Sequence, residues 1–207
     1  MIKWLAAALA LWAGLADAAE RIGRVEHVEV WATGTPDGGT TRPKHIGNSV
    51  EARETVSTVE NGALHLIFLD RTELRLGSAA TVVLDSYVYD RARGGEAVLQ
   101  VARGITRFIS GRLGSGQLRV RTPAVEIGVR GTDFSVWVQA DGRTTIWVNE
   151  GAISVQPLAG GPTAPVGQGE TVAVAAGGTA VQRGAPRPLS DRGLLPALQL
   201  QQERQRP

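Results

Sequence analysis

The feature that most constrains this chain is a period of two. From Arg21 onward apolar residues alternate with polar ones in short runs, without helical spacing. Leu64, Leu66 and Phe68 form one run, followed by Leu74 and Leu76, then Leu118 and Val120. Phe134, Val136 and Val138 alternate cleanly, as do Ile146 and Val148, Ile153 and Val155, and Val172 and Val174. Successive strand side chains point to opposite faces, so each run has one face to bury. Turn chemistry separates the runs at Asn61-Gly62, Gly94-Gly95, Gly114-Ser115-Gly116, Asp141-Gly142, Gly160-Gly161-Pro162 and Gly177-Gly178. The pattern predicts an all-β fold, an irregular solenoid-like or sandwich-like stack of short strands. Both arrangements produce the same alternation, so both stay open at this point.

Composition narrows the chemistry. The 207 residues include no cysteine, which excludes disulfide scaffolds, Cys-ligated zinc, iron–sulfur clusters and thiol nucleophiles. A formal net charge of +2 is too small to suggest a nucleic-acid surface, so no nucleic-acid partner is expected. Lys3 precedes an uncharged run from Trp4 to Ala16, and Ala16-Asp17-Ala18 then offers small residues where a signal peptidase reads. Residues 1–18 are therefore read as a signal peptide, with the protein delivered to the periplasm or secreted. The run falls short of the roughly 20 residues that cross a bilayer, and no transmembrane segment is expected after cleavage. Residues 19–183 form the expected β domain. Residues 184–207, rich in Pro, Gln and Arg, are expected to be a disordered or short-helical tail, with any helix around Leu194 to Gln202.

No catalytic set stands out. His27, His45 and His65 lie in separate segments without metal-ligand spacing, so no metal is expected. Gly114-Ser115-Gly116 lacks a strand-to-helix elbow, and Gly111, Gly114 and Gly116 do not make a dinucleotide fingerprint. Carboxylates at Asp70, Asp85, Asp90, Asp133, Asp141 and Glu150 are scattered through the chain. The reading is a non-catalytic chain with no cofactor.

The densest stretch runs from Leu118 to Val155. It reads as a strand, a turn at Pro123, a short strand, a tight Arg130-Gly131-Thr132 corner, a hairpin and a further strand. Gly131 can adopt positive φ or permit close backbone approach, and Thr132 or Asp133 can hydrogen-bond backbone at such a corner. Gly151 ends one strand before Ala152-Ile153-Ser154-Val155 begins. For Phe134, Val136 and Val138 to share a face with Ile146 and Val148, the hairpin loop must be odd in length, such as Asp141-Gly142-Arg143. That register sets Trp137 opposite Trp147. The pair is either a stacking platform for a sugar ring or a partner's side chain, or it packs under another layer or the tail. Arg130 could bind an anion, or pair with Glu126 or Asp133.

The run VRTPAVEIGVRGTDFSVWV, followed by TIWVNEGAISV, resembles the FecR domain. So do VENGALHLIFLDRTELRLGSAATVVL from Val59 to Leu84 and VGQGETVAV from Val166 to Val174. The resemblance extends from Ile22 to Val181, and its most specific element is V-R-G-T-x-F-x-V. It marks Asp70, Arg130, Gly131, Thr132, Phe134 and Gly151 as motif positions. One departure stands out: where the family's turn usually reads Asp-Gly-Ser, this chain has Asp70-Arg71-Thr72. The resemblance implies an all-β, solenoid-like periplasmic domain known best from transmembrane anti-sigma regulators that sense a TonB-dependent outer-membrane receptor. No cytoplasmic anti-sigma segment or internal span is visible here, and the tail does not look like the small α/β receptor-contacting domain. Sigma-factor control is therefore not carried over. The expectation is an exported FecR-like module that binds an envelope protein in signalling, with strand edges suited to β-augmentation. The alternative is a carbohydrate- or peptidoglycan-binding module using Arg130, Trp137 and Trp147.

Overall fold

The computed structural model describes residues 20–90, 94–114 and 116–185. The expected signal peptide and nearly all of the expected tail lie outside the described residues, as does Ser115. The described chain is all strand. In order the strands are β1 (Arg21–Glu29), β2 (Ala32–Thr35), β3 (Arg42–Pro43), β4 (Ser49–Glu51), β5 (Thr55–Thr58), β6 (Ala63–Phe68), β7 (Glu73–Leu76) and β8 (Thr81–Asp90). They continue with β9 (Gly94–Ile109), β10 (Leu118–Arg121), β11 (Val125–Val138), β12 (Thr144–Pro157), β13 (Ala164–Gly167), β14 (Thr171–Val174) and β15 (Gln182–Arg183). Part of the Gly/Pro-rich stretch after Trp31 supplies β2 and β3.

All the strands join one 15-stranded sheet. Three long strands, β9, β11 and β12, give it two arms. Their segments 104–109, 133–138 and 144–148 pair with one another and with β7 and β14, continuing outward through β6, β1 and β4 and through β15. Their other halves pair with β8, β10 and β13, and the second arm continues through β5 and β2 to β3. Leu66, Leu74, Phe108 and Val136 of the first arm share one hydrophobic core with Val82, Leu99, Val120 and Ile127 of the second. The arms meet face to face where Phe68 of β6 stacks on Tyr87 of β8, ring centroids 4.8 Å apart. Within the first arm Phe134 stacks on its cross-strand neighbour Phe108 at 5.1 Å. The described strands form a single large sheet bent over its own core.

The β11–β12 hairpin differs from the sequence reading by one pair. Its loop spans residues 139–143, closed by bonds from Gln139 N–H to Arg143 O (2.9 Å) and from Gly142 N–H to Gln139 O (3.0 Å). Asp141 Oδ1 also accepts the Arg143 N–H at 3.0 Å, which favours this wider loop over the 141–143 turn. The loop is odd, as the shared core face requires, but Trp137 pairs with Thr145 and Trp147 with Ser135. The two indoles are diagonal neighbours on one face and not a directly opposed pair.

Candidate interaction surfaces

Asp70 is the centre of a buried hydrogen-bond cluster. It has no solvent exposure, and its Oδ1 accepts the Thr72 N–H at 2.9 Å and the Tyr87 hydroxyl. Oδ2 accepts the Thr72 hydroxyl at 2.5 Å and the Leu113 N–H at 3.3 Å. Burying a carboxylate is costly unless its lone pairs are filled, and here they are filled by donors from three segments. Burial, and then the bond to Asp70, push the Tyr87 phenol far above its usual pKa, so it remains a donor. The Asp-Arg-Thr departure is now explained. Thr72 keeps a hydroxyl at the position where the family pattern has serine, and it bonds Asp70 here, while Arg71 adopts φ 75, the conformation that favours glycine. The 110–113 segment lies directly on this turn: a Cβ on Gly111 would sit 2.2 Å from Thr72 N. Asp70 is a structural fastener joining β6, β8 and the segment after β9.

The Arg130-Gly131-Thr132 corner is a β-bulge. Arg130 pairs with Ala152 and Asp133 with Glu150, so two residues of β11 oppose Gly151 alone. Gly131 (φ 58) and Gly151 (φ 81) both occupy the left-handed region. Thr132 locks the bulge: its hydroxyl donates to Ala152 O at 2.6 Å, and its N–H donates to Ser110 Oγ at 2.9 Å. Phe134 follows, buried against Phe108. The motif residues serve geometry here, bending two long strands from one arm into the other.

Arg130 is exposed and takes neither of its expected partners. Asp133 is engaged by Arg107, at 2.6 Å from Nη2 and 2.9 Å from Nε, and by Asn149 at 3.1 Å. Glu126 pairs with Arg121 at 2.7 Å. Burial alone would raise the Asp133 carboxyl, but the bonds from Arg107 and Asn149 and the charges of Arg107 and Arg75 hold it below the usual range. On the same outward face His65 is nearly buried, with Nε2 3.1 Å from Glu73 Oε2. Burial and the Arg75 charge depress its pKa, outweighing Glu73.

The Trp pair does not make an open platform. Trp137 is half-buried and Trp147 has no exposure. A residue pattern that sequence reasoning missed lies at the end of β1. Val30, Trp31 and Val59 are 68%, 46% and 40% exposed, and Val59 N–H donates to Trp31 O at 3.3 Å. Val30 holds φ 61, a conformation that a β-branched residue rarely adopts. The available signal was the pair of consecutive apolar residues, Val30-Trp31, which breaks the alternation just where β1 ends.

A bent all-β sheet, fastened at a buried Asp-x-Thr turn and an Arg-Gly-Thr bulge, defines the class of domain. Residues 54–154, just under half of the chain, match the family model described as FecR protein, in line with the resemblance carried by the sequence motifs. That span is narrower than the Ile22 to Val181 resemblance, leaving β1 to β4 and β13 to β15 outside the match although they complete the sheet. Two crystal structures of a candidate anti-sigma factor from Parabacteroides distasonis ATCC 8503, at 2.50 and 1.65 Å resolution, share the fold. Each is 14% identical with a TM-score of 0.51, covering 62% of this chain. The chain spans 58% of the length of those structures. Comparison with curated proteins finds no match.

Proposed function

We propose that this chain is an exported, non-catalytic FecR module that binds an envelope protein partner in signalling, using the Val30-Trp31-Val59 corner. The observation that carries this reading is the exposed apolar corner on a FecR-like domain, held partly by a strained Val30. Exposed large side chains gathered at one place mark contact surfaces, and strain in an exposed valine persists only where surrounding structure enforces it. Glu29 and Glu60 adjoin the corner in sequence, so a partner presenting apolar and basic side chains suits it. β-Augmentation would have to use the longer edges of the sheet. Three of its edge strands are short, β15 and β3 with two residues each and β4 with three, and short edges resist strand addition; β13 and the Ser86–Asp90 stretch of β8 are the longer edges left. A glycan platform at Trp137 and Trp147 loses its basis with Trp147 wholly buried. The anti-sigma structures lend the fold, and the signalling role here rests on the FecR match.

The test is in-cell photo-cross-linking from position 31, with mass spectrometry of what is captured. One envelope protein, recovered from the natural sequence and lost in a Val30→Ser/Val59→Ser variant, is the expected result. Capture unchanged by that variant would move the contact elsewhere. Recovery with cell-wall sacculi and no protein would overturn the reading in favour of a glycan ligand.

A further inference from the structure

The turn after β6 spends a strained position on an arginine that the turn itself does not use. Residues 68–72 close on themselves: Arg71 N–H donates to Phe68 O at 3.0 Å and Phe68 N–H to Thr72 O at 2.9 Å, while Asp70 pins Thr72 from within. That geometry sets Arg71 at φ 75, which glycine would occupy without strain. The fold therefore requires positive φ here and has no need of a guanidinium. Arg71 is exposed, and its side chain makes no hydrogen bond or ion pair among the described residues. Backbone strain kept under an exposed, unpaired side chain points to a task outside the fold.

The surroundings define the task. Arg71 lines a cleft of about 140 Å³ with Arg21 and Arg24 of β1, Gly23 between them, Ile67 of β6 and Leu69. Position 23 must stay bare, because a Cβ there would lie 2.7 Å from Ile67 O. Arg21 uses only Nε, on Gly23 O at 3.4 Å, and Arg24 is held by Glu26 Oε2, 3.1 Å from Nε and 2.8 Å from Nη2. Among the described residues Glu26 is the one carboxylate that bonds any of the three arginines. The cleft is thus locally positive although the whole chain carries only +2. It is smaller than the roughly 300–1,000 Å³ that holds a small molecule, so it suits one group of a larger one. A guanidinium fork matches a planar carboxylate, and Leu69, 48% exposed, offers an apolar wall beside it. Anionic lipid surfaces are met by clusters of about four to eight basic residues, and three arginines with one already paired fall short.

We propose that this cleft binds an acidic segment of a polypeptide partner, with Arg71 and Arg21 holding a carboxylate and Leu69 packing against an apolar neighbour of that carboxylate. Six residues separate Arg24 from Val30, about 20 Å of extended chain, so this surface is distinct from the Val30-Trp31-Val59 corner and stands or falls without it.

The experiment uses the protein expressed with its own leader and purified after export. Binding is read by fluorescence anisotropy at low salt with a fluorescein-labelled LEEL peptide and its LQQL counterpart, and by co-sedimentation with phosphatidylglycerol vesicles. LEEL is expected to bind and LQQL not, with affinity falling as salt is raised. Arg71→Gly and Arg21→Gln are each expected to weaken LEEL binding several-fold, Arg71→Gly without lowering the urea midpoint. Arg143→Gln, which removes the same charge from the β11–β12 loop, is expected to leave binding unchanged. The proposal is overturned if LEEL does not bind, if LQQL binds as well, or if either cleft variant binds LEEL as the natural chain does. An equal loss in Arg143→Gln would reduce the effect to net charge and overturn it too. Sedimentation with vesicles without binding of LEEL would assign the cleft to lipid headgroups instead.

Discussion

At Arg71 a single residue holds a conformation that costs roughly 1–2 kcal/mol for a residue with a Cβ. Replacing it with glycine removes that strain but adds unfolded-state entropy, typically about 0.4–1 kcal/mol. Arg71→Gly is therefore expected to stabilise the protein by about 0.5–1 kcal/mol, raising Tm by about 2 °C; a chemical denaturation curve checks it. An unchanged or lowered midpoint would mean that the arginine side chain offsets its own backbone strain. Asp70 as a turn residue was legible in the sequence. Its burial was not, because Tyr87 and Leu113, which fill its lone pairs, lie 17 and 43 positions away.

At the scale of elements, the bulge distinguishes its two glycines. A Cβ at Gly151 would lie 2.6 Å from Gly131 O, whereas one at Gly131 meets nothing within 4 Å. Gly131→Ala should then cost only its backbone strain, about 1–2 kcal/mol, and Gly151→Ala should cost more, about 3 kcal/mol or above. Equal losses, measured by urea unfolding of both variants, would show that the β11–β12 register can relax around the extra atom. The alternation of Phe134, Val136 and Val138 against Ile146 and Val148 made strands, shared face and odd loop readable. The register escaped because parity leaves loops of three and five residues equally allowed. The choice lay with the hydrogen bonds of Gln139, Asp141 and Gly142 within the loop.

For the whole molecule, the outward row of the first arm makes stability depend on pH. His65 faces Glu73 and Arg75 on β7 and pairs with His27 on β1, with Glu26 close enough to act on it. Its folded pKa lies below the ordinary 6.5, so the unfolded chain binds the proton more readily. Its contribution is fully present above pH 6.5 and is lost as pH falls through the folded value. Urea midpoints are expected to decline between pH 7.5 and 5.5, and His65→Gln should flatten that decline. A variant with the same slope as the natural chain would place the titrating group elsewhere.

The sequence by itself determined the class of fold, most of the turns between strands, and the FecR resemblance, although β12 runs on through Gly151, where a strand end was expected. Those depend on local information: alternation, turn residues and a short motif whose spacing survives in one dimension. Tertiary structure decided which motif residues are buried, that Arg130 stands without its expected carboxylates, and that Trp147 is enclosed while Trp31 is open. Burial and pairing depend on residues brought together from distant strands when the sheet bends over its core. Nothing in the period of two records which face of a strand the rest of the chain will cover.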